Sequence, residues 1–304
     1  MIDFTNCKQT KRAYSGANGN KIGIIYNDEH YLLKFPPIPS KSKTMSYANS
    51  CFSEYLGSQI FNIIGLNAQQ TLLGKYYFKG KEKIVVACKD FTNVGIVLQD
   101  FASLKNQIIT SEHNGYGTNL EDILQSFNEQ TSVDALELNR YFWDMFIVDA
   151  LIGNWDRHNG NWGFLYDTMN DTVDFAPIFD CGSSLYPQAD ESIMQKVFIY
   201  EEELNLRLYE IPYSAIVDNG RKIRYFDFIS SLKNKYCNEA LKRILPKIDM
   251  VKINDMIDNT DFLTSLQIDF YKKMLKERKE KILDYSLNKL VNLEKQSKNK
   301  GYER

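Results

Sequence analysis

The stretch Asn154-Trp155-Asp156-Arg157-His158-Asn159-Gly160-Asn161-Trp162, followed by Ile178-Phe179-Asp180-Cys181-Gly182, decides how the rest of the chain is read. An Asp followed five positions later by an Asn is too common to stand alone as a motif. Its setting makes it informative. Residues 133–153, just upstream, are apolar on most of a helical circumference, the pattern of a buried helix. Downstream, residues 162–166 and 172–176 bracket a polar turn and read as a small hairpin, whose return strand delivers Asp180 beside the Asp156 loop. Two carboxylates and an amide oxygen in one place suit phosphoryl transfer. One carboxylate orients or deprotonates an attacking hydroxyl, and the other joins the amide oxygen in holding Mg²⁺ against the phosphates. Asp156 takes the first role in this reading, with Asn161 and Asp180 as the metal ligands. Neither position offers the nitrogen or sulfur cluster that zinc prefers.

Towards the N-terminus the pattern is strand-rich. Residues 21–26 and 31–35 flank the polar turn Asn27-Asp28-Glu29 and read as a hairpin. A Pro/Ser/Lys loop follows, then a helix from a Ser46 cap to about residue 64, then strands near 68–78 and 84–88. Lys34 ends the hairpin's second strand and Glu54 sits mid-helix. Either alone reads as a surface residue. Their joint placement, strand lysine then helix glutamate before two more strands, resembles a kinase small lobe, in which the lysine contacts the α- and β-phosphates and the glutamate pairs with it. The loop Ser15-Gly16-Ala17-Asn18-Gly19-Asn20-Lys21 could cover phosphates with its backbone N–H groups or simply turn a hairpin. Val86-Ala87-Cys88-Lys89-Asp90 falls where a hinge between lobes would pair with adenine through backbone groups. After Phe91 the pattern turns helical, at 120–127, 133–153, 201–209, 226–236, 239–245 and 262–293. The architecture expected is α+β and two-lobed. Residues 1–90 form a small β-rich lobe with one helix, and residues 91–304 a large, mainly helical lobe, with the cleft near 88–92.

Composition narrows the function. Of 304 residues, 43% are hydrophobic and 25% charged, which excludes wholesale disorder. The net charge of −2 argues against a dedicated nucleic-acid binder. Five scattered cysteines with no C-x-x-C argue against a disulfide framework or structural zinc. The N-terminus has no apolar signal-peptide core and no stretch suits a transmembrane segment, so a cytoplasmic enzyme is expected. Residues 271–304 carry eleven Lys/Arg against five acids. That run reads as a solvated helix face, or as a surface for an anionic membrane, nucleic acid or an acidic partner.

Asp156-Arg157-His158-Asn159-Gly160-Asn161, followed by hydrophobic-Asp180-x-Gly182, resembles the catalytic and metal loops of the HipA-like serine/threonine kinases. It also resembles the Asp-Arg-His-Asn-x-Asn loop of phosphatidylinositol 3-kinases. The likeness can be followed from about residue 14 to 290, without a counterpart of the HipA N-terminal extension. It implies a two-lobed kinase-like fold, ATP and Mg²⁺ as cofactors, a protein substrate with a Ser/Thr acceptor, and autophosphorylation. Gly16, Ala17, Asn18 and Gly19 then match a phosphate loop, and Lys34, Glu54, Val86 and Cys88 the rest of the nucleotide site. Asp156 and His158 match catalytic positions, with Lys34, while Asn161 and Asp180 match metal ligands. Arg157 reads as structural, and His158 as either a stabiliser of transition-state charge or a bond within a tight loop. Cys181 stands where ordinary kinases have Phe. Ser183, Ser184, Ser192 and Tyr200 are candidate phosphoacceptors. The resemblance further implies export, translocation into a host cell and a host-cell protein partner. Phosphoinositide or small-alcohol kinase activity, phosphorylation of a translation component, and a catalytically silent kinase-shaped module stand as alternatives.

Overall fold

The structure is a computed structural model that describes residues 2–12, 21–36, 48–78, 80–108 and 114–302, with side chains as far as 297. A six-stranded sheet is built from β1 (Ile2–Asp3), β2 (Lys8–Thr10), β3 (Lys21–Tyr26), β4 (Glu29–Lys34), β5 (Thr71–Phe78) and β6 (Lys81–Lys89). Its order is β1-β5-β6-β4-β3-β2, and all pairs are antiparallel except β1 with β5. The β3–β4 hairpin turns on two residues only. Asn27 and Asp28 both take positive φ, the conformation whose twist matches paired strands. Glu29 therefore belongs to β4. Alternation along β4 divides the sheet's faces: Tyr31 and Leu33 pack with Phe4, Ile24, Tyr76, Val85 and Ala87. Leu32 lies on the opposite face with Val86 and Cys88, against helix α1 (Ser50–Ile64).

Helix α1 joins the two halves of the molecule. Cys51 and Phe52 pack on the sheet, whereas Leu56, Ile60, Phe61 and Ile64 belong to the core of the helical part. Each such side chain contributes roughly 1.5–3 kcal/mol of gross burial energy, so lifting α1 away is costly. Polar contacts add to this: Asn49 N–H donates to Pro187 O (3.2 Å), Asn49 Nδ2 to Ala189 O (2.7 Å), and Gln267 Nε2 to Asn49 Oδ1 (3.1 Å). The expected cap, Ser46, lies outside the described residues.

The helical part is centred on α4 (Ala135–Ile152), capped by Asp134 at its start and by Gly153, with φ +65°, at its end. Around it stand α2 (Phe101–Ile108), α3 (Leu120–Glu129), α5 (Glu191–Ile199), α6 (Glu201–Asn205), α7 (Tyr225–Ser231), α8 (Lys235–Ile244), α9 (Met250–Asp258), α10 (Ser265–Arg278) and α11 (Tyr285–Tyr302). The expected hairpin is present as β8 (Gly163–Asp167) and β9 (Thr172–Phe175). A third strand the sequence reading missed, β7 (Ile96–Asp100), pairs with β8. A second small hairpin, β10 (Tyr213–Asp218) with β11 (Arg221–Arg224), was also missed.

Other boundaries differ for local reasons. The helix expected at 226–236 is two helices, because Leu232 adopts φ +59° and Asn234 then caps α8. The helix expected from 262 starts after Phe262, itself at φ +70°, with Thr264 and Gln267 forming a capping box. It then passes through a widened, π-type stretch at Lys279–Asp284. Residues 201–209 likewise divide into α6 and a π-type turn, Leu206–Glu210.

Candidate active site

The loop after α4 is fixed by two buried brackets. Asn154 donates through Nδ2 to Asp149 Oδ1 (3.0 Å) and accepts Asp156 N–H on Oδ1 (3.1 Å), while its carbonyl accepts Tyr225 OH (2.5 Å). Arg157, 3% exposed, forms the second. Its Nε and Nη2 donate to the two oxygens of Asp149 (3.0 and 3.3 Å). Its Nη1 donates to Asn161 O (2.8 Å) and Phe179 O, and Nη2 reaches Cys181 Sγ (3.5 Å). One guanidinium thus ties the end of α4 to both loops of the site, as expected of a structural arginine. The sequence carried a signal for its partner. A carboxylate within an apolar helix, Asp149, requires a buried counter-charge.

Within the loop, Asp156 O accepts His158 N–H (2.8 Å) and Asn161 Nδ2 (2.8 Å). Holding the Asn161 amide by its nitrogen leaves its oxygen as the end available to a cation. His158 Nδ1 accepts Gly160 N–H (3.0 Å), so the neutral ring carries its proton on Nε2. That bond gives His158 the loop-bracing role foreseen as one of its two readings. Asp156 is half-buried, and burial pushes its carboxyl above the usual range, with His158 and Arg157 opposing and Asp180 adding to the rise.

The second loop is held to α1. Ile178 makes a parallel bridge with Ala68, just beyond the helix, and Asp180 then takes φ +58°. Few residues other than Gly, Asn or Asp occupy that region readily, and such strain concentrates at functional sites. Lys34 Nζ lies 3.0 Å from Glu54 Oε2 and 3.1 Å from Asp180 Oδ1. Glu54, 2% exposed at its side chain, accepts Cys181 N–H on its other oxygen (3.2 Å). Close seating of α1 here needs a glycine, because a Cβ on Gly57 would stand 2.7 Å from Cys181 Cβ. Burial works against the Lys34 ammonium, but Asp180 and Glu54 outweigh it and hold the lysine charged well above its ordinary range. The Lys34 ammonium in turn draws the Asp180 carboxyl below the usual range.

The structure therefore brings Lys34, Glu54 and Asp180 into contact, and ties Asp156 and Asn161 together by a hydrogen bond. Gly16, Ala17, Asn18 and Gly19 lie outside the described residues. Val86 and Cys88 do not offer free backbone groups. β6 runs on to Lys89, so Val86 is paired with both Lys34 and Leu73, and Cys88 with both Leu32 and Thr71. Their side chains are buried against α1. The chain leaves the sheet only from Asp90 onward, after Lys89 N–H bonds Gln70 O and Asp90 N–H bonds His30 O (both 2.8 Å).

Among the described residues no three His, Cys, Asp or Glu side chains are grouped to hold a metal. Asn161 and Asp180 each offer an oxygen donor of the kind that a hard cation such as Mg²⁺ takes alongside phosphate and water. The Asp180 side chain is 45% exposed, so it retains access to such an ion.

Residues 13–248 match the family described as HipA-like C-terminal domain. The chain is 50% identical over 299 residues to the serine/threonine-protein kinase CtkA of Helicobacter pylori strain J99, covering 98% of this chain and 91% of that protein. It is also similar to the crystal structure of a Helicobacter pylori proinflammatory kinase CtkA, with TM-score 0.90 and 50% identity over 96% of this chain and 98% of that one. A toxin–antitoxin complex of HipA, HipB and operator DNA from Shewanella oneidensis MR-1 shares the fold at TM-score 0.55 and 15% identity, over 92% of this chain and 68% of that one. The fold, the assembled charged residues and these matches place the chain in the HipA-like family, as a serine/threonine protein kinase.

Proposed function

We propose that the protein transfers the γ-phosphoryl group of ATP to a serine or threonine hydroxyl of a protein, with Mg²⁺ held by Asn161 and Asp180. The observation that carries this reading is the Lys34 ammonium, 3.0 Å from Glu54 and 3.1 Å from Asp180. A sheet, a helix and a strained loop converge there on one cation, an arrangement that structural needs alone do not call for. Lys34 would hold the α- and β-phosphates, with Glu54 fixing its position. Asp156, raised by burial into a range better suited to accept a proton, would orient the incoming hydroxyl and take up its hydrogen. The bound cation would neutralise charge developing on the phosphates. Positioning and fixed charge supply the rate gain.

Autophosphorylation belongs to the same reading, and the structure's exposure pattern favours Ser192. Ser184 is fully buried with its hydroxyl donated to Cys181 O, whereas Ser192 is exposed in the first turn of α5. A host-cell protein as substrate accords with the proinflammatory character of the similar Helicobacter pylori kinase. The basic C-terminal run favours the solvated-face reading over a lipid surface. Lys272 pairs with Asp258, Lys273 and Lys281 with Glu277, and Lys279 with Asp284. No helix among the described residues is long and apolar enough to cross a membrane. Labelled ATP offered with Mg²⁺ and a generic protein, with lipid vesicles in a parallel reaction, tests the proposal. Label on protein serine or threonine supports it, and label on lipid alone overturns it.

A further inference from the structure

A cavity of about 390 Å³ opens beside the Asp156 loop, walled by Trp155, Tyr186, Pro187, Ile193, Pro212 and Tyr213. It lies within the size range of small-ligand sites. Its wall is rigid. Leu185 and Tyr186 both hold positive φ, an uncommon state for large side chains that persists only where surroundings enforce it. The enforcement is visible: Tyr186 OH donates to Arg207 O (2.7 Å) and accepts from buried Arg278 Nη1 (3.1 Å). Among the described residues no acidic side chain lines the cavity, and two cations do, Arg207 and Lys222. Arg207 is neutralised by Glu203 (2.5 Å). Lys222, exposed on β11, makes no ion pair among the described residues, and its charge is felt at Asp156.

We infer that this cavity receives an apolar side chain of the protein substrate close to its phosphoacceptor, with Lys222 selecting an acidic residue beside it. The inference rests on the proposed kinase reading and names the substrate that site would take. A flat apolar wall next to the catalytic loop gains burial energy from a Leu, Ile or aromatic side chain. The Lys222 ammonium at its edge disfavours Lys and Arg at the same place.

The test is a serine-centred peptide library, each flanking position varied in turn, phosphorylated by the full-length wild type and by Lys222→Glu. One flanking position should favour large apolar residues over Ala and Lys by about tenfold or more. A neighbouring position should favour Asp or Glu, and Lys222→Glu should reverse that preference towards Lys or Arg, through KM more than kcat. A merely structural lysine would not reverse a preference. Ile193→Lys should erase the apolar preference, with nucleotide affinity reporting that the variant is folded. Efficient transfer with flat preferences, or preferences unchanged in Lys222→Glu, overturns the inference. Binding of ATP with transfer to no acceptor at all overturns instead the kinase reading beneath it.

Discussion

Replacing Glu54 with Gln probes the link between α1, the lysine and the metal loop. The Glu54 carboxylate accepts two bonds, from Lys34 Nζ at 3.0 Å and from Cys181 N–H at 3.2 Å, in a side chain 2% exposed. Glutamine has one acceptor oxygen, so it can keep one of these and must turn an NH₂ group towards the other donor. Losing a hydrogen bond to a charged group costs about 1.5–3 kcal/mol, and because two donors are left facing each other the upper part of that range, about 2–3 kcal/mol, is expected. If the folded state bears the loss, urea unfolding shows it directly. If α1 swings off its seat instead, the same energy appears as a fall in phosphate transfer of about 30- to 160-fold. Equilibrium unfolding and initial rates on the same preparation distinguish the two. A double-mutant cycle with Lys34→Met adds a control, since removing the lysine should leave Glu54→Gln with only the Cys181 contact to lose. Stability within ~0.5 kcal/mol of wild type, together with unaltered transfer, would refute the assignment of Glu54 as the anchor of Lys34.

Asp156→Asn should keep the fold and nucleotide binding while lowering turnover by about 10²–10⁴-fold, the range for a positioned proton acceptor. Because burial raises the Asp156 carboxyl and the base must be ionised, the wild-type rate should decline on the acid side at a pH above that of an ordinary carboxylate, and a pH–rate profile of the variant should lack that limb. Gly57→Ala should destabilise the protein by about 1–3 kcal/mol, since the new Cβ would meet Cys181 Cβ at 2.7 Å and the helix must shift; thermal unfolding and transfer rates should fall together. Asp180 is depressed by Lys34, so its contribution to stability is present above the ordinary carboxylate value of about 3.9 and is lost as pH falls through the lower folded value. The gap in urea midpoint between wild type and Asp180→Asn should therefore be open at neutral pH and close under strong acid.

What the sequence made readable were features encoded in adjacent residues. The β3–β4 and β8–β9 hairpins, the buried α4 and the polar loop after it all carry local period or turn chemistry, and the structure has them. The pairing of Lys34 with Glu54 was legible only through the likeness of a strand lysine and a helix glutamate to a kinase small lobe, and the structure has the two 3.0 Å apart. The missed elements depend on distant partners. β7 alternates only between half-buried and exposed positions, so nothing in Ile96-Val97-Leu98-Gln99-Asp100 distinguishes it until β8 pairs with it. The break between α7 and α8 falls on Leu232, a residue whose type gives no warning of a left-handed turn. Val86 and Cys88 lie inside the ladder, ahead of the point at Asp90 where the chain leaves the sheet. Lys81–Lys89 pairs along its whole length with β5, and the sequence alone could not show that the ladder continues to its end. The cavity beside Trp155 was invisible for the same reason, since its walls come from six separate stretches of chain between Trp155 and Lys222.

The most direct measurement of the central claim is transfer of labelled γ-phosphate to a protein serine by wild type and Asp180→Asn in parallel, each with Mg²⁺ and with chelator. Transfer by wild type with Mg²⁺ alone, lost in the variant while α-helical content is kept, is the expected result. Equal transfer with chelator, or by Asp180→Asn, would contradict the account.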